Sequence, residues 1–239
     1  MNLDNNNVII NYMKKPQFTQ DQIYHIYNRG VEKRKIFLDK QDYLRFIHNL
    51  FTLNNENIIT NNSYDFSNKL NKNESKSRKL LVEILAFTLM PNHFHLLLRQ
   101  KENNGIVKFM QKLGTGYSMY FNQKNKRVGG LFQGRFKAVI IDNDAHFWHI
   151  PTYIHLNPLS LINYRGSTSI NYKQKIEFLK QYKWSSFLDY IGEKNFPSVI
   201  SKDFLLDVFQ GEKNYIKITA DWIKNDNKYL QKINDITLK

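Results

Sequence analysis

The chain has 239 residues, of which 41% are hydrophobic and 14% aromatic, enough for one substantial domain with additions and a real core. It has no cysteine, which excludes disulfides, thiol nucleophiles and cysteine-bound zinc or iron–sulfur centres and fits a reducing cytoplasm. Its 35 Lys+Arg against 21 Asp+Glu give a formal charge of +14, and a surface this basic attracts polyanions.

Nucleic acid is therefore the expected partner, against the plainer reading of a solubilising Lys-rich surface. The excess is also clustered, since residues 101–137 hold eight Lys/Arg against the single Glu102. No run approaches the roughly eighteen apolar residues of a membrane span. The start, MNLDNNNVIINYMKKPQ, lacks the basic head, apolar middle and small-residue cleavage site of an export signal. A soluble, cytoplasmic protein is expected.

In chain order, QIYHIYNRGV (22–31) alternates β-formers and ends on a turn signal, so it reads as a first strand. DKQDYLRFIHNLFTL (39–53) spaces Tyr43, Phe46, Ile47 and Leu50 at helical intervals behind an Asp start. Residues 54–79, rich in Asn, Ser and Lys, read as a mobile insertion. LLVEILAFTLM and HFHLLLR follow as two antiparallel strands joined by a tight turn at Pro91-Asn92.

NGIVKFMQKLGTGYSMYFNQK (104–124) carries a helical apolar stripe despite Gly114 and Gly116. RFKAVIID (135–142) reads as a strand, and DNDAHFWHIPTYIHLNPL (142–159) as a helix capped by its leading Asp and ended by Pro158. Pro151 gives up a helical hydrogen bond two residues before Tyr153 and is expected to kink or restart that helix. The order β, α, β-hairpin, α, β, α predicts an α+β fold: a ferredoxin-like or RRM-like antiparallel sheet with helices on one face. From WSSFLDYIG (184–192) onward the pattern is helical and charged, a C-terminal appendage.

Within MPNHFHLLL (90–98), strand alternation puts His93, His95 and Leu97 on one face and Phe94, Leu96 and Leu98 on the other. At about 3.3 Å rise per residue the two imidazoles stand close enough to converge on one metal ion. For an H-x-H pair taken alone the plainer reading is two hydrogen-bonding residues at a sheet surface. On the last core helix Tyr153 and Asn157 lie one turn apart on one face, where a phenol and an amide oxygen can meet the same ion. The plainer reading there is a core tyrosine beside a C-capping Asn.

Five motifs in order, YHIYNRGVEKRKIF (24–37), FTLMPNHFHLLLR (87–99), GGLFQGRFKA (129–138), YIHLNPL (153–159) and WSSFLDYIG (184–192), resemble the REP-associated tyrosine transposases. These are single-tyrosine HUH enzymes that cut and rejoin single-stranded DNA. The resemblance spans about residues 20–215. It implies a catalytic core over 1–160 and a helical extension over 161–239, packed on the core or flexibly attached. It also implies His93 and His95 as ligands of a divalent metal, Mg²⁺ or Mn²⁺, Asn157 as a third ligand, and Tyr153 as the nucleophile. The expected product is a 5′-phosphotyrosyl link with a free 3′-OH, on hairpin-forming single-stranded DNA.

Tyrosine's ordinary pKa near 10 leaves little phenolate at neutral pH, and His149, one turn before Tyr153, is either a helper or a packing residue. Tyr117 and Tyr120, in the apolar stripe, read as core. DNA contacts are expected from Arg29 and Arg34 at the first turn and from Arg127, Arg135 and Lys137 around GGLFQGRF, where Phe132 reads either as a base-stacking ring or as core. Two other functions fit less of the pattern: an HUH nickase of the replication-initiator or relaxase type, and a non-catalytic single-strand nucleic-acid-binding protein in which the histidines only pack.

Overall fold

The computed structural model describes residues 17–56, 78–163 and 170–225. Four strands, β1 (Ile23–Arg29), β2 (Val82–Met90), β3 (His93–Gln100) and β4 (Lys137–Ile140), form one sheet in the order β2-β3-β1-β4. Every pairing is antiparallel. With helix α1 (Lys40–Thr52) between β1 and β2 and α2 (Gly105–Lys124) between β3 and β4, this is the α+β, ferredoxin-like order expected from the sequence.

Strand alternation divides the sheet. Phe94, Leu96 and Leu98 of β3 turn toward α1 and α2, where the Phe94 and Phe46 rings lie 5.0 Å apart and Tyr117 meets Phe46 at 4.9 Å. His93, His95 and Leu97 face the other way. That second face is crossed by α3 (Asp144–Leu156), which touches β2 and β3. One face of the sheet thus builds the core with α1 and α2, and the other presents polar groups to a helix.

Helix α1 begins where Asp39 accepts the Asp42 backbone N–H at 3.1 Å. Asp42 is itself fully buried, accepting the Leu38 N–H at 2.8 Å, the Tyr120 hydroxyl at 3.1 Å and the Lys124 ammonium at 2.7 Å. This carboxylate ties the start of α1 to the end of α2. A buried anion that loses its cation keeps its desolvation penalty, so Lys124→Met is expected to destabilise the fold by about 3 kcal/mol. In urea unfolding, adding Asp42→Asn to that variant should recover part of the loss.

Helix α3 starts one residue later than the sequence suggests: its cap is Asn143, which accepts the His146 N–H at 2.9 Å, not Asp142. It runs through Pro151 unbroken and then tightens into a 3₁₀ turn, Asn157–Leu159, followed by the short α4 (Ser160–Asn163). Of the insertion expected at 54–79, residues 57–77 lie outside the described residues. Its two ends are tied together, with the Asn54 side chain bonded to both backbone groups of Val82 at 2.8 and 3.0 Å and Glu56 N–H donating to the Lys79 carbonyl at 2.9 Å.

The remaining helices are α5 (Tyr172–Gln181), α6 (Phe187–Tyr190), α7 (Asp203–Val208) and α8 (Glu212–Lys224). Before α6, residues 184–186 run along the outer edge of β2: Leu89 N–H donates to the Trp184 carbonyl at 2.9 Å and Ser186 N–H to the Phe87 carbonyl at 3.0 Å. This pairs edge groups that would otherwise be a template for aggregation. Phe187, Tyr190, Leu205, Phe209 and Tyr215 are fully buried in the same hydrophobic cluster as the sheet. Among the described residues no helix is long and apolar enough to cross a membrane.

Candidate active site

The turn Pro91–Asn92 places β3 directly beside β1. Gly30 N–H donates to the Asn92 carbonyl at 2.8 Å, and a Cβ at Gly30 would stand 2.3 Å from the Arg34 carbonyl oxygen. Only glycine permits that approach. The resulting register sets Arg29 opposite His93, Tyr27 opposite His95 and His25 opposite Leu97, while β4 adds Lys137 opposite Tyr27. All of these side chains share the face that α3 crosses.

On α3, the Tyr153 ring stands edge-on to His95 at 5.7 Å and to His25 at 6.0 Å. The His93 and His95 rings are 5.1 Å apart and nearly perpendicular. One helical turn beyond Tyr153, the Asn157 side chain lies beside His93. The structure therefore gathers the histidine pair, the tyrosine and the asparagine at one place. Asn157 also caps α3, because its amino group donates to the Tyr153 carbonyl at 2.9 Å. The capping reading of Asn157 is thus met, and the same side chain also lies beside His93.

The protonation pattern around His93 suits a cation. The Asn92 amino group donates to the Lys33 carbonyl at 3.2 Å, so its oxygen faces the His93 Nδ1 at 2.7 Å and takes that N–H. A neutral His93 then carries a bare lone pair at Nε2. Burial pushes His93 down to about 4, against the Asn157 hydrogen bond that raises it and with the Arg29 charge that lowers it further. His95 is held well below its ordinary value by burial, then by His25 and His93. Both rings are neutral at pH 7, the state in which imidazole binds metal.

Among the described residues no group of three or more His, Cys, Asp or Glu is arranged to hold a metal. The group gathered here is mixed: two imidazoles with one carboxamide side chain beside them.

Helix α3 is anchored on its far side by His155, which is fully buried and pushed down to about 3 by that burial. Its Nδ1 meets the Tyr215 hydroxyl at 2.6 Å and its Nε2 the Ser186 hydroxyl at 2.7 Å. Ser186 in turn accepts the Phe87 N–H of β2 at 2.9 Å. The chain of bonds fixes how α3 sits against the sheet, and so where Tyr153 points. His149 packs on Trp222 at 4.9 Å between ring centroids, the packing alternative of its two readings.

The expected DNA-contacting residues separate into two groups. Arg29 and Lys137 lie on the face of the histidines, and Arg29 bonds the side chain of Gln133. Arg135 is exposed just before β4. Arg34 pairs with Glu32 at 3.4 Å, and Arg127 donates to the Asn122 side chain at 2.6 Å and the Gly130 carbonyl at 3.3 Å. Phe132 is half-buried with its ring 5.8 Å from Phe94 and 6.4 Å from Tyr117, on the core side of the sheet. Tyr117 and Tyr120 are also on that side, bonded to the Ile36 carbonyl at 2.5 Å and to Asp42.

His25, Tyr27, Asn92 and His155 belong to the site or its supports and were not singled out from the sequence. For His25 and Tyr27 the signal was present: YHIYNR alternates, and its polar face must meet that of HFH once the two strands pair.

Fold and constellation together define a class: an α+β protein whose sheet offers paired histidines to a helix-borne tyrosine. Residues 43–157 match the family model described as "Transposase IS200 like". The matched segment begins after β1. Among solved structures, one of a REP-associated tyrosine transposase bound to a REP hairpin is similar at 13% identity and a TM-score of 0.45, covering 79% of this chain and 90% of that one. No curated protein sequence is significantly similar.

Proposed function

We propose that this chain is a metal-dependent single-stranded DNA endonuclease and strand transferase that acts at or near DNA hairpins. The observation that carries the reading is the juxtaposition of Tyr153 with His95 and of Asn157 with His93 on one face of the sheet. The family match over residues 43–157 supports transposase chemistry. The choice of hairpins as substrate rests on the likeness of the five motifs.

In this reading Tyr153 is the nucleophile. Its phenolic oxygen attacks the scissile phosphorus and gives up its proton, and the bond from phosphorus to the 3′ oxygen breaks. The departing oxygen takes a proton to become a 3′-OH. The 5′-phosphotyrosyl bond formed conserves the energy of the one broken, so the reverse attack by another 3′-OH rejoins strands without ATP. His93, His95 and Asn157 would hold Mg²⁺ or Mn²⁺, which when bound neutralises charge developing on the phosphoryl oxygens.

The chain's own groups do the rest. Arg29 and Lys137, on the same face, draw the DNA backbone toward Tyr153, with Arg34, Arg127 and Arg135 extending the basic surface. We assign residues 1–160 to the catalytic core and the segment from 161 onward to holding α3, the task that Ser186 and Tyr215 perform through His155. A cytoplasmic location accords with the cysteine-free composition.

The test is a covalent-capture assay: single-stranded hairpins from a randomised pool, Mn²⁺ and the full chain, resolved under denaturing conditions. A protein–DNA adduct is expected on a subset of hairpins. Its absence from the whole pool, with DNA binding intact, would assign the chain to the non-catalytic binding proteins.

A further inference from the structure

Each histidine of the pair has a second residue on its Nδ1. For His93 it is Asn92, a side-chain oxygen that can only accept. For His95 it is His25, whose Nε2 lies 2.8 Å from the His95 Nδ1. The two ring centroids are 5.0 Å apart with planes 18° apart, a separation that matches rings joined edge to edge, nitrogen to nitrogen, rather than stacked faces. His25 is fully buried on β1, and burial pushes it down to about 3. Its remaining nitrogen, Nδ1, has no hydrogen-bond partner among the described residues.

The tautomers of this pair are linked. If His95 is to offer the lone pair of Nε2 to an ion, its proton must sit on Nδ1 and point at His25. The His25 Nε2 must then accept, which leaves the His25 proton on Nδ1, buried without an acceptor. In the opposite arrangement His25 donates from Nε2 to His95 Nδ1, the His95 proton occupies Nε2, and only a bare lone pair is orphaned on His25. A buried orphan N–H is the more costly of the two, so the resting pair favours the arrangement that blocks the ligand nitrogen.

From this we infer that His25 is a positioning residue, which turns His95 into a ligand by accepting its Nδ1 proton. Ion binding and reversal of the His25–His95 hydrogen bond are one event. The count of protons is unchanged. The proton of His25 Nε2 passes to His95 Nδ1, that of His95 Nε2 leaves to solvent, and one from solvent takes its place on His25 Nδ1. His25 lies before the segment matched by the family model, and the inference rests on reading His93 and His95 as ligands.

Two readouts that do not involve DNA cleavage test it. In the first, Mn²⁺ affinity is measured by electron paramagnetic resonance on the full chain and on His25→Phe and His25→Gln. Losing the acceptor in His25→Phe should weaken binding about 10- to 100-fold, and His25→Gln, which restores an accepting oxygen, should recover most of it. A folded His25→Phe protein, by near-ultraviolet circular dichroism, that binds Mn²⁺ within threefold of the parent overturns the role.

In the second, histidine ¹⁵N spectra of the unaltered chain are recorded with and without Mg²⁺, so the outcome does not depend on any variant folding. Loading should move the His95 proton to Nδ1 and the His25 proton to Nδ1. A loaded protein that keeps the His25 proton on Nε2 refutes the inference and leaves the ligand assignment standing. A parent chain that binds neither Mg²⁺ nor Mn²⁺ at these histidines removes the ligand assignment and the inference together.

Discussion

Replacing Tyr153 with phenylalanine should abolish the covalent protein–DNA adduct, reducing its rate on the order of 10⁴-fold or more, because the variant has no oxygen to attack the phosphorus. The ring itself remains, so its edge contacts with His95 and His25 persist and the fold and Mn²⁺ affinity should change little. The contrast with Tyr120→Phe is diagnostic. Tyr120 lies on α2, bonded to Asp42 on the other side of the sheet, and its variant should retain adduct formation. An adduct that survives in Tyr153→Phe at more than a few per cent of the parent rate would move the nucleophile elsewhere.

The second large effect is expected at the histidine pair. His95→Gln keeps a polar side chain of similar reach but lacks an imidazole held by His25. It should weaken Mn²⁺ binding by at least about 100-fold, since losing an outer partner of a ligand alone costs 10- to 100-fold. Calorimetric titration measures the affinity, and the adduct assay should fall in parallel. Chelation by EDTA should likewise stop adduct formation in the unaltered chain. It should leave the urea unfolding midpoint close to its value in Mg²⁺-free buffer, because the hydrophobic cluster around Phe46, Phe94 and Tyr117 closes without the ion. Retained affinity in His95→Gln would show that the ion, if bound, sits elsewhere.

Much of this arrangement is legible in the sequence because its signals are local. Strand alternation in HFH fixes which residues share a face whatever the rest of the fold does, and Tyr153 and Asn157 share a helix face for the same reason. The order of strands and helices follows from periodicity and turn residues, so the antiparallel sheet and its helices α1 and α2 were within reach. The helix cap at Asn143 rather than Asp142 is a one-residue matter that adjacent Asx residues leave open.

What the sequence does not carry is pairing. His25 and Tyr27 join the site only because β1 lies next to β3 in a particular register, a contact between residues seventy apart in the chain. The role of His155 is hidden similarly: its partners, Ser186 and Tyr215, lie 31 and 60 residues further on. Phe132 stood open between stacking and packing because a phenylalanine after a glycine pair suits both. Its ring contacts with Phe94 and Tyr117 put it beside the core.

The most direct test of the central claim, that the face of paired histidines and the helix bearing Tyr153 form one site, is to identify the residue that carries DNA. After capture on a hairpin with Mn²⁺, nuclease trimming and proteolysis leave a short 5′-phosphoryl oligonucleotide on one peptide, which mass spectrometry can locate. The account predicts that it is found on Tyr153. Recovery of the nucleotide on Tyr27, Tyr117, Tyr120 or any other residue would contradict it.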